Sequence, residues 1–258
     1  MRSTAARWSI RTEDKSSTQI IYDDDDFFRA YAQLARSVHG LDAAPEWPAL
    51  RAMLPPIGGR AVLDLGCGYG WFCRWARAHG AASVTGIDVS EKMLARARST
   101  TDDLAITYVC GDLEAVTLPA GNFSLVYSSL TFHYLKNLAG VLRAAHAALL
   151  PGGTLVFSVE HPIYTAPERP GWIGMPSGSK GWPVDGYLRE GERATDWLAK
   201  GVIKQHRTIA GYFSLLLRQG FRITHLEEWG PTPDQVVAQP ALAIERERPP
   251  FLLMAADR

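Results

Sequence analysis

Short apolar runs alternate with stretches of helical spacing between about residue 61 and residue 160. Residues 61–65 form the first apolar run, and a helical stretch over 71–79 follows it directly. A second run spans 83–87, and the alternation continues until five strands are predicted. Strands that alternate with helices form a parallel sheet through right-handed crossovers. The pattern therefore predicts a doubly wound α/β fold, which binds ligands beyond the carboxyl ends of its strands.

The chain after the fifth predicted strand is less regular. Residues 161–207 combine tryptophan and tyrosine with many Gly and Pro residues. Disordered chains are poor in aromatic residues, so we predict an ordered, irregular insertion that covers the site as a lid. The alternative is a surface flap or a dimer contact. A helix is predicted over 207–220, and two strands over 221–227 and 251–256 are joined by a long loop rich in proline.

Residues 1–60 are predicted to form an N-terminal helical cap on a core domain of residues 61–258. The first 20 or so residues are polar, and helical spacing of apolar residues begins at Phe27. Four aspartates, residues 23–26, precede this helix, where negative charge stabilises the positive end of the helix dipole. We interpret them as a helix start and not as a metal site, because neighbouring side chains on one chain diverge.

Three glycines follow the first predicted strand at a spacing that is typical of a ligand-binding loop. Gly66, Gly68 and Gly70 fall in the turn before the next helix, where a missing Cβ permits positive φ and lets a ligand contact the backbone. Asp88 ends the second strand about 20 residues further on, where a carboxylate can bind both ribose hydroxyls. Together these features predict a ligand that contains a nucleoside.

The spacing within the loop distinguishes between two such ligands. The dinucleotide fingerprint is G-x-G-x-x-G, whereas this loop is G-x-G-x-G, with Trp71 at the position of the third glycine. That glycine allows helix and strand to pack closely beside a pyrophosphate, and an indole would obstruct this packing. The sequence therefore argues against NAD.

From about Val62 to its C-terminus, the chain resembles the class I S-adenosylmethionine-dependent methyltransferases. The resemblance lies in residues 62–70, 86–88, 111–112, 122–130 and 149–155. It implies a three-layer α/β/α fold with a mostly parallel, Rossmann-like sheet of seven strands, the last of them antiparallel. The last two strands would pair with residues 222–224 opposite residues 252–254. It also implies S-adenosyl-L-methionine as cofactor and S-adenosyl-L-homocysteine as product, and no metal is expected.

The resemblance assigns parts of the cofactor to strand ends. Asp64 would hold the methionine end through its amine, Asp88 would bind the ribose, and Asp112 would accept a hydrogen bond from the adenine amine. The first N-terminal helix often closes over the cofactor in relatives. The cofactor-binding residues implied in this way are Tyr31, Arg36, Asp64, Gly66, Cys67, Gly68, Gly70, Asp88, Val89, Met93, Gly111, Asp112, Leu113, Ser128, Ser129 and His133.

The implied reaction needs few dedicated catalytic groups. Methyl transfer from a sulfonium is an in-line displacement, which mainly requires a nucleophile held about 3 Å from the methyl carbon and the exclusion of water. The candidate catalytic residues are His133 after the fourth strand, and Glu160 and His161 after the fifth, where these two would line the acceptor pocket. The alternative for His133 is a satisfied histidine at a helix start. For Glu160 and His161 the alternative is a role in ordering the start of the insertion.

The sequence favours a small-molecule methyl acceptor over nucleic acid. Residues 127–130 replace the Asn/Asp-Pro-Pro-Tyr/Phe motif that adenine N6, glutamine and some cytosine methyltransferases carry. No cysteine follows a proline, as the cytosine C5 enzymes require. The charge is balanced, with 27 basic and 27 acidic residues, so no uniform field attracts nucleic acid or an anionic membrane.

Composition is compatible with one large core and a cytoplasmic location. The 258 residues are 47% hydrophobic, and none of the apolar runs reaches the length of a membrane span, about 18 residues. Three cysteines without a CxxC pair predict reduced thiols. Two other functions stay open: a non-catalytic protein that binds S-adenosylmethionine or its product, and an NAD-dependent oxidoreductase. A homodimer through the insertion or the N-terminus is possible.

Overall fold

The computed structural model of the chain describes residues 9–10 and 21–258. A seven-stranded sheet lies at its centre. Its strands are β1 (Ala61–Leu65), β2 (Ser83–Asp88), β3 (Ile106–Cys110), β4 (Phe123–Ser129), β5 (Leu149–Glu160), β6 (Arg222–Trp229) and β7 (Phe251–Asp257). The order across the sheet is β6-β7-β5-β4-β1-β2-β3. Strands β1 to β5 are parallel, and β7 runs antiparallel to both β5 and β6, which confirms the predicted fold.

Helices cover both faces of the sheet. The helices of the described chain are α1 (Asp25–Tyr31), α2 (Ala35–His39), α3 (Trp47–Ala52), α4 (Trp71–Ala78), α5 (Glu91–Ser99), α6 (Leu138–Ala148), α7 (Pro162–Thr165), α8 (Ile209–Arg218) and α9 (Pro233–Ala238). Short 3-10 helices span Ile21–Asp23, Gly40–Ala43, Phe132–Tyr134 and Pro240–Arg246. Two further pairs of strands are each only two residues long. Ser9–Ile10 pairs with Val116–Thr117, and Ile173–Gly174 pairs with Lys180–Gly181.

The strands are buried on both faces because successive side chains point to opposite sides of the sheet. Val62 and Leu63 of β1 are both fully buried, yet they belong to different apolar cores. One core packs the sheet against α6 and α8. The other packs it against α3, α4 and α5. These two cores make the three layers, and they hold the carboxyl ends of β1 to β5 at one edge of the molecule.

The last two strands pair in a register that differs from the predicted one. Residues 222–224 were expected opposite 252–254, but Arg222 lies opposite Asp257, and a bulge interrupts the ladder after Ile223. The Arg222 guanidinium donates to the Asp257 carboxylate at 2.6 Å across this pair. The prediction of a long loop before β7 is also wrong, because this segment contains α9. A capping box formed by Thr232 and Gln235 starts that helix.

The insertion over residues 161–207 is ordered, but it is more regular than predicted. It contains α7 and a hairpin, whose strands Gly191–Trp197 and Ala199–His206 pair antiparallel. We call this pair of strands the insertion hairpin. Lys204 and His206 are buried in its second strand, and their side chains bond to residues of the core and of the insertion.

The N-terminal region contributes α1, α2 and α3. Asp24 caps α1 by accepting hydrogen bonds from two backbone N–H groups, as the aspartate run predicts. Asp23 instead accepts a hydrogen bond from Ser90 at 2.5 Å, which joins this region to the start of α5. The predicted helical stretch breaks after Tyr31, and α2 starts beyond extended backbone at Leu34. The polar residues 1–8 and 11–20 lie outside the described residues.

None of the helices within residues 21–258 is long and apolar enough to cross a membrane.

Candidate functional site

A cavity of about 540 Å³ opens at the carboxyl ends of the parallel strands. Its floor is formed by the ends of β1, β2, β4 and β5 and by the residues that follow β3. Side chains from α1, α2 and the insertion hairpin line it as well. This is where a doubly wound sheet binds ligands, because the strand order reverses between β1 and β4.

The glycine loop forms one wall of the cavity. Gly66 and Gly68 both have positive φ, +80° and +50°. A Cβ at Gly66 would overlap the side chain of Thr131, so the close approach of these two segments requires glycine there. A Cβ at Gly68 would meet no atom of the described chain within 4 Å. Gly68 therefore faces the cavity, where a ligand can contact its backbone.

The Asp88 carboxylate is fixed between two backbone donors at the end of β2. Its Oδ2 accepts a hydrogen bond from the Gly68 N–H at 2.8 Å, and its Oδ1 accepts one from the Ser90 N–H at 3.0 Å. Burial raises the pKa of Asp88, and these two hydrogen bonds oppose the rise. The carboxylate thus lines the cavity in a fixed orientation, with lone pairs left to accept further hydrogen bonds.

Asp64 lies deeper, at the end of β1. Its side chain is buried and accepts a weak hydrogen bond from the Cys73 thiol, with 3.4 Å between Sγ and Oδ2. Burial raises the pKa of Asp64 to about 7, and the neighbouring Asp88 charge adds to the rise. A cation bound beside Asp64 would favour its ionised form.

The end of β3 supplies a third acidic group together with apolar walls. The Asp112 Oδ1 accepts a hydrogen bond from the Glu114 N–H at 2.9 Å, and its side chain lines the cavity. Val89, Met93 and Leu113 line the cavity too. A flat aromatic group with an exocyclic amine fits a surface of this kind, in which apolar contacts are combined with a carboxylate.

Glu160 lies at the end of β5 and lines the far side of the cavity. Its Oε1 accepts a hydrogen bond from the Lys204 ammonium at 2.6 Å, and the Lys204 side chain is only 2% exposed. Within the described part of the chain, the buried Oε2 of Glu160 has no hydrogen-bond partner. The insertion hairpin therefore holds one oxygen of this carboxylate and leaves the other without a partner in the described chain.

His133 is buried beside Glu160. Its Nδ1 accepts a hydrogen bond from the Glu160 backbone N–H at 3.3 Å, so the proton of the neutral ring is on Nε2. Burial lowers the pKa of His133 to about 4, despite the nearby Glu160 carboxylate. At neutral pH the ring is an uncharged donor.

Four aromatic residues of the cavity lining pack against one another. Tyr22 lies 5.2 Å from Tyr31 and 6.2 Å from Tyr134, measured between ring centroids, and Tyr31 lies 6.4 Å from Trp197. The rings of each pair are close to perpendicular. We call these four residues the aromatic box; all of them line the cavity.

Most of the residues implied by the resemblance come together in the cavity. They are Tyr31, Arg36, Asp64, Gly66, Cys67, Gly68, Asp88, Val89, Met93, Asp112, Leu113, Ser129 and His133. Glu160, a candidate for the acceptor side, joins them.

Three implied cofactor residues lie outside the cavity lining. Gly70 forms the N-cap of α4, and the Gly111 N–H donates to the backbone carbonyl of Asp88 at 2.9 Å. Ser128 is fully buried and donates to the carbonyl of Leu65 at 2.7 Å, which joins β4 to β1. All three act on the framework of the site and do not face the cavity.

His161, the remaining candidate for the acceptor side, also lies outside the lining. Its Nδ1 accepts a hydrogen bond from the Ile163 N–H at 3.0 Å and thereby caps α7. Its Nε2 lies 3.0 Å from the Glu228 carboxylate on β6, and its side chain is 3% exposed. This placement corrects the assignment to the acceptor pocket and matches the alternative, in which His161 orders the start of the insertion.

Several residues at the site were missed in the sequence. Tyr22 and Trp197 line the cavity and Lys204 contacts Glu160 behind that lining, but no local motif singles out these side chains. Tyr134 follows His133 directly, and this adjacency was the one signal that could have identified it. The other three become visible only when the chain is folded.

The residues present fit S-adenosyl-L-methionine. Acidic side chains stand at the ends of β1, β2 and β3, and the Gly68 backbone is open to the cavity. The Trp71 indole N–H is buried without a partner among the described residues, and it also lines the cavity. Within residues 21–258, no group of three His, Cys, Asp or Glu side chains could hold a metal ion.

Comparisons with known proteins agree with this geometry. A methyltransferase-domain family model matches residues 63–157. The crystal structure of an S-adenosylmethionine-dependent methyltransferase from Mesorhizobium loti is 57% identical, covers 85% of this chain and all of that one, and has a TM-score of 0.83. An uncharacterized protein of Haemophilus influenzae is 32% identical over 92% of this chain and 96% of its own length.

A further relative matches over a shorter region. The malonyl-[acyl-carrier protein] O-methyltransferase of Enterobacter lignolyticus is 39% identical over 110 residues, which are 43% of each chain. The similarity to the Mesorhizobium loti methyltransferase, by contrast, covers 85% of this chain and all of that one. The chain therefore belongs to the S-adenosylmethionine-dependent methyltransferases.

Proposed function

We propose that this methyltransferase transfers the methyl group of S-adenosyl-L-methionine to a small-molecule acceptor by in-line displacement. The observation that carries the proposal is the continuous cavity of about 540 Å³, which joins the acidic ends of β1 to β3 to the ends of β4 and β5. Sites of a few hundred Å³ are typical for small molecules. The partial similarity to malonyl-[acyl-carrier protein] O-methyltransferase supports an acceptor other than nucleic acid.

When bound, the cofactor supplies a methyl group activated by a positive sulfur. Asp64 would pair with the amine of its methionine end, and Asp88 would accept hydrogen bonds from the ribose hydroxyls. Asp112 would accept a hydrogen bond from the adenine amine. The backbone bonds that fix Asp88 support this assignment, because a carboxylate that is already oriented loses little freedom on binding.

The other side of the cavity would align the acceptor. Glu160 presents one unpaired oxygen, and His133 presents an uncharged ring. In this proposal, residues 1–60 and the insertion over 161–207 act as cap and lid that exclude water. Tyr31 and Trp197, which line the cavity from these two regions, support that role.

A transfer assay tests the proposal. Pure protein is incubated with S-adenosyl-L-methionine labelled in its methyl group and with a bacterial extract divided into small molecules, protein and nucleic acid. We expect saturable label in the small-molecule fraction. Saturable label in tRNA or DNA would overturn the small-molecule assignment, and binding of the cofactor with no transfer to any fraction would favour a non-catalytic protein.

A further inference from the structure

The far side of the cavity carries chemistry that distinguishes between classes of acceptor. The malonyl-[acyl-carrier protein] O-methyltransferase named above methylates oxygen according to its name, whereas the groups around Glu160 favour another nucleophile. This inference rests on the proposed function, because it concerns the acceptor of the same cavity. It is based on the charges that line the cavity, on the aromatic box and on the free oxygen of Glu160.

A carboxylate acceptor would find no free cation here. In the part of the chain that the structure describes, Arg36 is the only Lys or Arg that lines the cavity. Both oxygens of the buried Glu46 carboxylate already accept hydrogen bonds from the Arg36 guanidinium, at 3.0 and 3.2 Å. Lys204 lies behind Glu160 and is outside the lining. An anion would therefore enter the site beside carboxylates and without a counter-charge.

The aromatic box fits an organic cation. All four residues line the cavity, where their π faces and tyrosine oxygens are available to a positive group. Alkylammonium groups are recognised in this way, through the negative face of each ring. Trp197 already has a cation on one side, since the Lys204 ammonium lies 5.2 Å from the centre of its ring.

The neighbouring polar groups agree with a positive or hydrogen-bond-donating acceptor. Burial raises the pKa of Tyr22, Tyr31 and Tyr134, so these hydroxyls stay neutral. His133 carries no charge at neutral pH because its pKa is lowered to about 4. The nearby cations Lys204 and Arg36 are each paired with a carboxylate, Lys204 with Glu160 and Arg36 with Glu46. The unpaired oxygen of Glu160 can accept a hydrogen bond from an N–H.

We propose that the acceptor is an amine, which is held in the aromatic box with its nitrogen facing the free oxygen of Glu160. Before transfer, the ammonium form loses one proton to water, and an N–H of the neutral amine donates to Glu160. The nitrogen lone pair then forms the new bond to the methyl carbon while the bond from that carbon to sulfur breaks. The electron pair of the broken bond stays on sulfur, so S-adenosyl-L-homocysteine and a methylated ammonium are formed.

Glu160 has a defined role in this step. The positive charge leaves sulfur and appears on nitrogen, next to a carboxylate that is already oriented by Lys204. A fixed carboxylate at that position stabilises the charge as it develops. The insertion hairpin thereby contributes to specificity, because it supplies both Lys204 and one wall of the aromatic box.

Two isosteric probes test the proposal and do not require the natural acceptor. Protein saturated with S-adenosyl-L-homocysteine is titrated calorimetrically with choline and, separately, with 3,3-dimethylbutan-1-ol, in which carbon replaces the charged nitrogen. We expect choline to bind at least tenfold more tightly. Equal affinities, or no detectable binding of choline, would overturn the amine assignment.

Variants then test which residues cause the preference for choline. Trp197→Leu and Glu160→Gln should each remove most of the difference between the two probes. Trp172→Leu is the matched control, since Trp172 belongs to the same insertion but lies outside the cavity lining. A preference for choline that survives Trp197→Leu and Glu160→Gln would mean that another surface binds the cation, and the aromatic box would be the wrong site.

A transfer assay separates the two proposals. Labelled S-adenosyl-L-methionine is offered with 2-phenylethylamine and with 3-phenylpropanoate, which have similar skeletons but opposite charges. We expect label only in the amine. Label in a methyl ester would overturn the amine assignment and leave the proposed function intact. Failure of the protein to bind S-adenosyl-L-homocysteine would overturn the proposed function itself.

Discussion

The two sides of the cavity are built in different ways. On the cofactor side, short segments at the ends of β1, β2 and β3 bring glycines, carboxylates and backbone N–H groups together; the bond from Gly68 to Asp88 is typical. On the acceptor side, long side chains meet across the chain, as in the pair of Glu160 with Lys204, 44 positions apart. The first construction depends on the sheet alone, and the second depends on regions added to it.

This difference suggests a division of roles. A side made of backbone and strand ends can stay the same while the other side changes with its insertion and cap. We therefore expect substitutions on the cofactor side to affect ligand affinity, and substitutions on the acceptor side to affect the packing of the insertion and the turnover. The following variants test that separation.

The largest effect is expected for Lys204→Met. Removing one partner of a buried ion pair leaves the other charge without compensation, which costs about 3–5 kcal/mol of the free energy of unfolding. Chemical denaturation measures that loss, and Lys200→Met is the control, because Lys200 is exposed on the same strand. Affinity for S-adenosyl-L-homocysteine should stay close to that of the wild type. A parallel loss of affinity would mean that the two sides are not separable.

Two glycines of one loop sharpen the comparison further. Gly66→Ala forces a Cβ into Thr131, so we expect it to lower the free energy of unfolding by about 2–4 kcal/mol. The Cβ added by Gly68→Ala meets no described atom, so this variant should lose only about 1 kcal/mol of the free energy of unfolding. It should nevertheless weaken cofactor binding, since its Cβ points into the cavity. Unchanged affinity of the Gly68 variant would place the ligand elsewhere.

Asp88→Ala should weaken the binding of S-adenosyl-L-homocysteine by about 1–3 kcal/mol, because charged hydrogen bonds to the ribose would be lost. Calorimetry measures the change, and the exposed Asp102→Ala is the control. The free energy of unfolding should be measured for both variants, so that loss of the fold is not mistaken for loss of the site. Wild-type affinity in the Asp88 variant would show that its role is structural.

The smallest effect is a pH dependence that comes from Asp64. Its pKa is raised to about 7, so protonation below that pH should weaken binding of the cofactor amine, by at most about tenfold per pH unit. The same shift favours folding at low pH, and that contribution is lost as the pH rises through about 7. Asp64→Asn should remove both effects. Titrations between pH 5 and 8 in wild type and variant measure the first, and an unchanged slope in the variant would contradict it.

The comparison also explains what could be predicted from the sequence. The glycine loop, Asp64, Asp88 and Asp112 are local, since each lies at the end of an apolar run, and the parallel sheet brings such ends together. The mostly parallel sheet with its antiparallel last strand followed from the resemblance, whereas the register of β6 did not. That register includes a bulge after Ile223 and pairs residues that are far apart in the chain, such as Arg222 and Asp257, 35 positions apart.

The acceptor side could not be predicted in the same way. The burial of Lys204 depends on the fold of the insertion hairpin and on the position of Glu160 across it, and neither is encoded in a short motif. His161 was assigned to the acceptor pocket because it follows a strand, but its ring turns away to cap α7 and to contact Glu228. Position at a strand end predicts nearness to the site and leaves the direction of a side chain undetermined.

The central claim is that the acidic ends of β1 to β3 bind the adenosyl cofactor. Calorimetric titration of the wild-type protein with S-adenosyl-L-homocysteine tests it most directly, with NAD as the control ligand. We expect saturable binding of S-adenosyl-L-homocysteine with a dissociation constant in the micromolar range, and no binding of NAD. Failure to bind S-adenosyl-L-homocysteine, or comparable binding of NAD, would contradict the account.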